Sequence, residues 1–302
     1  MECSICGRKA VYNYRYNGSY ACREHFLENF EKRVKHEIRK QVNFRKPLTH
    51  ISVAISGGKD SSVTLSILVK LLKNRRDVKI SAFTVDEGIE GYRSSGLRAS
   101  IELCRELGVE HFTRSFSQEF GTTMDEVVSK NPSLIPCSRC GPMRRNLINA
   151  ISSIQEADYV ALGLNLDDYA QSVMMNVVRG DLERMRRMAP HMETKDGLVR
   201  RILPLMRIPE KEVVAYAVLT GIPFDSSWCP YYSKAQRNTF RDLIGSMEEK
   251  SPGAKFGILK FSDQIRKAIP TESSGAELNR CEMCGSPTSG TVCSVCVNSM
   301  MD

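Results

Sequence analysis

Short apolar runs alternate along this chain with stretches in which apolar residues recur every three or four positions. Runs at 51–55, 78–85 and 158–163 are typical of buried strands, and a shorter one lies at 111–113. After the first run, helical spacing is shown by Val63, Leu65, Ile67, Leu68, Leu71 and Leu72. This alternation predicts an α/β domain built on a parallel sheet.

The same spacing predicts further helices. They lie at about 26–43, 95–107, 124–129, 210–219 and 258–269, and a short strand is predicted at 202–205. The helix at 26–43 has an apolar stripe of Phe26, Phe30, Val34 and Ile38 and is otherwise basic. Gly221 is predicted to end the helix at 210–219, since glycine readily adopts the left-handed conformation that closes a helix.

The first predicted strand leads into the polar connection Ser56-Gly57-Gly58-Lys59-Asp60-Ser61-Ser62. Glycines let backbone N–H groups approach an anion, and a helix N-terminus favours negative charge. Ser61 and Ser62 are predicted to cap the helix and to donate to phosphate oxygens. Together with Ala54 and Ile55 at the strand end, residues 56–62 are predicted to form a loop that binds phosphate, called the phosphate loop below. Its sequence differs from the Walker pattern. A generic glycine turn before a helix is the alternative.

Carboxylates follow two other predicted strands. Asp86 comes directly after the run at 78–85, and Asp167 and Asp168 follow the run at 158–163. Ligands of open α/β sheets bind outside the carboxyl ends of strands, so Asp86 is predicted to border a nucleotide. Asp167 and Asp168 are predicted to hold Mg²⁺ together with triphosphate oxygens. The alternative is that these acids only begin the next helices, where the helix dipole favours them.

Composition adds a compartment and a class of partner. The 302 residues are 41% apolar, yet no apolar run is long enough to span a membrane and no signal segment opens the sequence. A cytoplasmic protein that contacts no membrane is therefore expected. The formal net charge of +8 favours a polyanionic partner. Basic side chains concentrate at 32–40 and at 179–207, the latter with Arg179, Arg184, Arg186, Arg187, Lys195, Arg200, Arg201 and Arg207. A merely solvated surface is the alternative.

Nine of the eleven cysteines fall into closely spaced sets, which in a reducing compartment indicates metal binding rather than disulfides. The two ends of the chain each carry two ligand pairs: Cys3, Cys6, Cys22 and His25, then Cys281, Cys284, Cys293 and Cys296. Four soft ligands with this spacing predict tetrahedral zinc at each end. Both zinc sites are expected to be structural, because four protein ligands leave no open position.

A third CxxC pair, Cys137 and Cys140, has no second pair nearby. From the residues alone such a pair is redox-active, half of a zinc site or part of a cluster site. A helix is predicted to begin just after it, near Gly141. Cys229 is isolated in the sequence, and Cys104 lies in a helical stretch where a packed core thiol is expected.

The order of these motifs resembles a known family. The stretch from Ser56 to Ser61 resembles the PP-loop of the ATP pyrophosphatase superfamily. From Cys3 to Cys296 the chain resembles the TtuA/NcsA-type tRNA 2-thiolation proteins, which include archaeal and eukaryotic cytoplasmic wobble-uridine thiolases. The resemblance also rests on Asp86-Glu87-Gly88-Ile89, Gly91-Tyr92-Arg93, Pro136-Cys137, Cys140-Gly141, Asn165, Asp167-Asp168, Arg179-Gly180-Asp181 and Cys229-Pro230-Tyr231.

The resemblance implies a fold and a domain order. The fold is α/β, with a doubly wound parallel-sheet PP-loop ATP pyrophosphatase domain flanked by two small zinc-binding modules. The expected units are an N-terminal zinc module at 1–28, a basic linker helix at 29–48, the catalytic domain at 49–275 and a C-terminal zinc ribbon at 276–302.

The resemblance also implies an ATP-dependent tRNA-uridine 2-sulfurtransferase. ATP bound with Mg²⁺ would adenylate the uridine C2 oxygen, and sulfide would then displace AMP. Cys137, Cys140 and Cys229 would ligate a 4Fe–4S cluster with one iron left free to bind sulfide. Asp60 and Asp168 match catalytic positions, and Gly163 matches backbone that borders the ATP. Lys59 and Arg144 would stabilise the developing charge together with the loop N–H groups.

The implied partners are tRNA, a second copy of the chain and a sulfur donor, which is a ubiquitin-like carrier, a desulfurase or free sulfide. The stretches at 32–40 and 179–207 are predicted to contact RNA phosphates. Leu164 stands where family members often have histidine, and Arg144 stands where bacterial-type members have lysine. Arg144-Arg145 resembles the wobble-uridine branch, so position 34 is expected.

Three alternatives stay open. Uridine 54 is another target, an amidase or ligase of the same superfamily would use a nitrogen nucleophile, and a zinc-based tRNA-binding module would have no catalysis. The amidase or ligase gives no reason for three further cysteines, and the intact phosphate loop disfavours the binding module.

Overall fold

A five-stranded parallel sheet forms the centre of the computed structural model, which describes residues 1–191, 197–269 and 278–300. Lys195 and the predicted boundary between 275 and 276 lie outside the described residues. The strand order is β5-β4-β3-β6-β7, with every neighbouring pair parallel. The strands are β3 Thr49–Ala54, β4 Val78–Asp86, β5 Glu110–Ser115, β6 Tyr159–Leu162 and β7 Arg200–Ile202.

This strand order confirms the predicted α/β fold. The chain winds outward from β3 to β4 and β5, and then returns to the other side of β3 through β6 and β7. The switch in direction lies between β3 and β6, where Ala54 pairs with Leu162 at the carboxyl ends of both strands. A crevice at this point is where ligands of doubly wound sheets bind.

Helices cover both faces of the sheet. Their bounds are α1 Arg23–Gln41, α2 Lys59–Leu72, α3 Arg93–Leu107, α4 Phe116–Phe120, α5 Met124–Lys130, α6 Pro136–Ile154, α7 Leu166–Val178, α8 Leu182–Arg186, α9 Glu210–Thr220, α10 Arg237–Lys250, α11 Ala254–Ala268 and α12 Ser294–Met300. α1, α2, α3 and α9 share one apolar cluster with the sheet, and α6 contributes to a second.

Gly221 ends α9 in the left-handed conformation, as predicted. None of the described helices has the length and hydropathy needed to cross a bilayer.

Two predicted boundaries are wrong. The strand expected at 202–205 ends at Ile202, since the N–H of Leu203 donates to the side chain of Gln41 (2.7 Å) and Pro204 has no N–H. α6 begins at Pro136 rather than near Gly141. Proline is favoured in a first helical turn, because its missing N–H is not needed there. Cys137 and Cys140 therefore lie inside α6 instead of before it.

A hairpin of β1 Tyr12–Tyr14 and β2 Ser19–Ala21 precedes α1, and β8 Asn279–Arg280 pairs with β9 Pro287–Thr288 near the other end. The apolar stripe of α1 is fully buried against the apolar cluster that includes the sheet, α2 and α9. Phe30 stacks on Tyr216 of α9 with ring centroids 4.1 Å apart. The hairpin and α1 are thus one packed unit with the core.

A buried ion pair reinforces this junction. Arg33 was expected on an exposed basic face, but its Nη1 lies 2.6 Å from Oε2 of Glu212, whose side chain is fully buried. The Tyr16 hydroxyl donates to the same carboxylate (3.1 Å), and Arg33 also donates to the carbonyl of Arg207 (2.6 Å). The pair therefore links the hairpin, α1 and α9.

We expect Arg33→Ala to lower the free energy of unfolding by about 3 kcal/mol, because the Glu212 carboxylate would stay buried without its cation. Urea unfolding measures this. Lys32→Ala, which removes an exposed cation next in the chain, serves as the control and should change stability by no more than about 0.5 kcal/mol. Equal losses in the two variants would contradict the role given to the pair.

Candidate active site

The connection from β3 to α2 packs backbone against backbone. Gly57 has a φ of +80°, and a Cβ atom there would lie 2.1 Å from the carbonyl oxygen of Gly96. A Cβ atom on Gly96 would lie 2.7 Å from Ser56 O, and one on Gly163 would lie 2.7 Å from Ser61 N. These distances are too short for any side chain, so glycine is required at all three positions.

The N-terminus of α2 lacks a side-chain cap, and the capping predicted for Ser61 and Ser62 is wrong. The Ser61 hydroxyl instead donates to Gly58 O (2.9 Å) and accepts from Ser56 N (3.0 Å), which closes the loop. In the described part of the chain, the N–H groups of Asp60 and Ser61 have no acceptor. Unpaired N–H groups at a helix N-terminus are suited to a phosphate.

Charged side chains surround this helix end. Lys59 Nζ lies 3.0 Å from Asp60 Oδ2 and 2.7 Å from Glu210 Oε1. Asn165 donates to Asp60 Oδ1 (2.9 Å), and its own side-chain oxygen accepts from the N–H of Asp168 (3.0 Å). Burial raises the pKa of Asp60, while Lys59 opposes that rise. Asn165 therefore fixes Asp60 relative to α7, a role that the sequence did not reveal.

The two adjacent carboxylates of α7 have different partners. Asp167 bonds to Lys255 of α11 and accepts from the first N–H of α9 (2.8 Å). Asp168 lies 3.2 Å from Nη1 of Arg237 in α10. Burial raises the pKa of Asp168 to about 6, Arg237 opposes this, and the nearby charge of Asp60 adds to it. Asp168 thus interacts electrostatically with Asp60 of the phosphate loop, whereas Asp167 connects α7 to α9 and α11.

A buried glutamate joins the loop to the helix that carries the cysteines. Glu87 is 3% exposed and lies 2.9 Å from Arg93 Nε and 3.4 Å from Arg144 Nη1. Arg93 also donates to the carbonyls of Ser56 (3.3 Å) and Val85 (2.7 Å). One network therefore reaches from the phosphate loop to α6. In the sequence, Glu87 and Arg93 were motif residues without a role.

Asp86 ends β4 at the carboxyl edge of the sheet, where it was placed. Its Oδ1 accepts from the N–H of Gly88 (2.9 Å), which shapes the turn that carries Glu87. Its contact with a nucleotide stays a prediction.

Cys137, Cys140 and Cys229 converge on the other end of this network. Cys140 and Cys229 are half-buried and pack against the same cluster of apolar side chains. Charge on Cys137 would act on both of them. Burial raises the pKa of Cys140 to about 11, and Arg144 opposes this. In the described chain, the three thiols are not among the groups whose ligand atoms lie within 4.8 Å of one another, so they lack the geometry of a single-ion site.

The two terminal ligand sets do have such a geometry. Within each set all ligand atoms lie within 4.8 Å of one another: Cys3, Cys6, Cys22 and His25, and Cys281, Cys284, Cys293 and Cys296. The Sγ atoms of Cys6 and Cys22 are 3.7 Å apart, and those of Cys284 and Cys293 are 3.6 Å apart. Tetrahedral bonds of about 2.3 Å to zinc separate two sulfurs by about 3.8 Å. The N–H of Cys293, 3.3 Å from Cys281 Sγ, lowers the pKa of that thiol to about 6. Both sets could hold a metal ion.

The start of α2 lies at the switch point of a parallel sheet, has no side-chain cap and is packed closely by glycines. This arrangement defines a nucleotide-binding α/β protein of the PP-loop class. The PP-loop domain family matches residues 26–247, and the family described as the N-terminal LIM domain of the 2-thiouridine synthetase TtuA matches residues 2–27. The chain belongs to the family of the TtuA/NcsA-type tRNA 2-thiolation proteins.

Relatives match along nearly the whole chain. The tRNA 2-thiolation protein NcsA of Haloferax volcanii is 36% identical over 316 residues, which cover 98% of this chain and 97% of that protein. The tRNA-5-methyluridine(54) 2-sulfurtransferase of Pyrococcus horikoshii is 31% identical, with 98% and 93% covered. The solved U34-tRNA thiolase NcsA from Methanococcus maripaludis, with its 4Fe-4S cluster, superimposes with a TM-score of 0.85 at 32% identity, covering 100% of this chain and 96% of that one.

The raised pKa of Asp168 predicts a pH dependence of stability. Between about pH 4, the pKa of an unfolded aspartate, and pH 6 the folded protein binds more protons than the unfolded chain. Stability from this group is therefore lost as the pH rises through this window. Relative to wild type, Asp168→Asn should gain about 2 kcal/mol in free energy of unfolding between pH 4 and 6.5. Urea unfolding without nucleotide or Mg²⁺ measures this. If the difference in unfolding free energy between Asp168→Asn and wild type did not change with pH, the raised pKa of Asp168 would be contradicted.

Proposed function

We propose that this protein is an ATP-dependent tRNA-uridine 2-sulfurtransferase that modifies wobble uridine 34. The observation that carries the proposal is the network Ser56–Arg93–Glu87–Arg144, which connects a phosphate-binding loop to three converging cysteines. Adenylation needs the first feature and sulfur chemistry needs the second. The rival amidase or ligase gives no reason for the cysteines, and a purely RNA-binding module gives none for the loop.

In the first half-reaction the uridine C2 oxygen attacks the α-phosphate of ATP and pyrophosphate leaves. The open N–H groups of Asp60 and Ser61 bind phosphate oxygens, and Lys59 is placed to leave its carboxylate partners for the leaving pyrophosphate. Gly163 packs directly against the backbone of Asp60 and Ser61, where any side chain would clash with the start of α2. Mg²⁺ would be held by Asp60 and Asp168. Asp167, already paired with Lys255, positions α7 rather than binding the metal.

In the second half-reaction a hydrosulfide sulfur adds to C2, the C2–O bond breaks, and AMP leaves as the proton on sulfur is released. Cys137, Cys140 and Cys229 would hold a 4Fe–4S cluster, which supplies an iron without a protein ligand to which sulfide can bind. The three thiols fit this group better than a single ion, because they converge without single-ion spacing. Arg144, between Glu87 and Cys140, is placed to stabilise negative charge on the departing AMP.

The terminal ligand sets would each hold a structural Zn²⁺, since their sulfur spacings match tetrahedral zinc. The proposal includes a cytoplasmic location, as the names of relatives state for those proteins, and a homodimer. The sulfur donor is a ubiquitin-like carrier, a desulfurase or free sulfide.

Cysteine variants should separate the two half-reactions. We expect Cys137→Ala, Cys140→Ala and Cys229→Ala to abolish thiolation of tRNA while tRNA-dependent release of pyrophosphate from ATP persists. Asp60→Ala should lower both by at least about 100-fold, since it removes a group that acts in adenylation. Cys104→Ala, which removes a thiol packed in the core, serves as the control and should leave both intact.

Pyrophosphate release and mercury-gel retardation of thiolated tRNA measure the two steps, using anaerobically reconstituted protein. Full thiolation by a protein that contains zinc but no iron would overturn the cluster assignment.

Position 34 is favoured over position 54 by Arg144-Arg145 and by the match to a U34 thiolase. We expect a strain that lacks this protein to lose 2-thiolation at uridine 34. Mass spectrometry of nucleosides from purified tRNA fragments measures it. Retention at position 34 together with loss at position 54 would assign the protein to the other branch.

A further inference from the structure

A deep cleft of about 1720 Å³ lies between the C-terminal ribbon and one face of α6. α6 contributes Pro142, Arg145, Asn149 and Ser153, which recur at helical spacing, and the ribbon supplies the opposite wall. α8, β7 and the ends of α1 and α11 complete it. No phosphate-loop residue lines it in the described chain. Pockets for small ligands have volumes of about 300–1000 Å³, so this cleft suits a segment of a polymer.

The lining is strongly cationic. Within the described ranges, ten arginine or lysine side chains line the cleft, against four carboxylates. Three of those carboxylates are already paired: Glu37 and Asp263 with Arg207 (2.9 and 2.6 Å), and Glu183 with Arg186 (3.0 Å) and Arg187 (3.2 Å). Among the lining residues that the structure describes, cations therefore outnumber carboxylates and give the cleft an excess of positive charge.

Two arginines of the cleft have no counterion among the residues that the structure describes. Arg145 of α6 and Arg201 of β7 both line the cleft, and neither guanidinium group has a hydrogen bond or ion pair to any residue that the structure describes. Burial lowers the pKa of both guanidinium groups; the charge of Arg145 lowers the pKa of Arg201 further, and the charges of Arg144 and Arg184 lower that of Arg145 further. Like charges held together without a counterion are unfavourable, so this arrangement is suited to an anion between them.

We propose that this cleft binds the phosphodiester backbone of the substrate RNA, with Arg145 and Arg201 contacting its phosphates. The inference rests on the proposed function for the identity of the RNA. Arg145 follows Arg144 on α6, so RNA in the cleft would lie next to the residue that contacts Glu87 and interacts electrostatically with Cys140. The wall of α6 would guide the strand from the cleft to the cysteines.

An acidic protein, such as a sulfur carrier, is the other polyanion that such charge could attract. RNA is favoured because guanidinium groups pair with phosphates in bidentate geometry and because the cations line a deep cleft rather than a flat surface. The two occupants give different results in the experiment below.

The test measures the affinity of the full-length protein for unmodified tRNA over a series of KCl concentrations. Arg145→Gln and Arg201→Gln should each weaken binding about fivefold near 0.15 M salt and lower the slope of log K against log salt by about 0.7–0.9, one phosphate contact each. The double variant should lose about 30-fold. Arg98→Gln, which removes an exposed arginine on α3 outside the cleft, is the matched control and should bind as wild type.

Thermal unfolding gives a second readout. Relief of like-charge repulsion should leave the Tm of both cleft variants equal to or above that of wild type, so weaker binding cannot be attributed to misfolding. Wild-type affinity and salt slope in the double variant would overturn the inference, and so would equal weakening by Arg98→Gln. Normal tRNA binding with loss only of carrier-dependent thiolation would assign the cleft to a protein. Failure of wild type to thiolate tRNA would instead overturn the proposed function.

Discussion

Close backbone packing around the β3–α2 connection is the constraint on which the site depends. Gly57 and Gly96 approach so closely that a single Cβ atom would push the loop away from α3. Gly163, at the end of β6, similarly leaves no space between the switch point of the sheet and α2. Because these contacts involve only backbone, the N–H groups at the start of α2 have a fixed direction before any ligand binds. Donors oriented in advance stabilise developing charge without reorganisation.

The second feature of the site is electrostatic continuity. Glu87 is buried between Arg93, which contacts the phosphate loop, and Arg144, which lies on α6, the helix that carries Cys137 and Cys140. A buried carboxylate with two cationic partners is costly to disturb, so the relative positions of loop and cysteines are tightly coupled. This coupling suits a reaction in which the atom activated by ATP must meet sulfur without leaving the site.

The sequence predicted the parts of this architecture that depend on local chemistry. Apolar periodicity located the strands β3, β4 and β6, and the spacing of cysteines located both terminal ligand sets. What it missed depends on tertiary contacts. Ser61 was expected to cap a helix but closes the loop instead, and Asp167 was grouped with Asp168 although Lys255, far along the chain, binds only the former. The cleft was missed because Arg145 and Arg201 meet only after α6 and β7 are in place.

The central claim is that ATP activates the C2 oxygen of a tRNA uridine at the phosphate loop, and the fate of that oxygen tests it most directly. A tRNA with ¹⁸O at C2 of the target uridine would be thiolated with unlabelled Mg²⁺-ATP, and the released AMP would be analysed by mass spectrometry. The account predicts one ¹⁸O atom in each AMP, because the bond from C2 to oxygen breaks after that oxygen has joined the α-phosphate. Unlabelled AMP released alongside fully thiolated tRNA would contradict it.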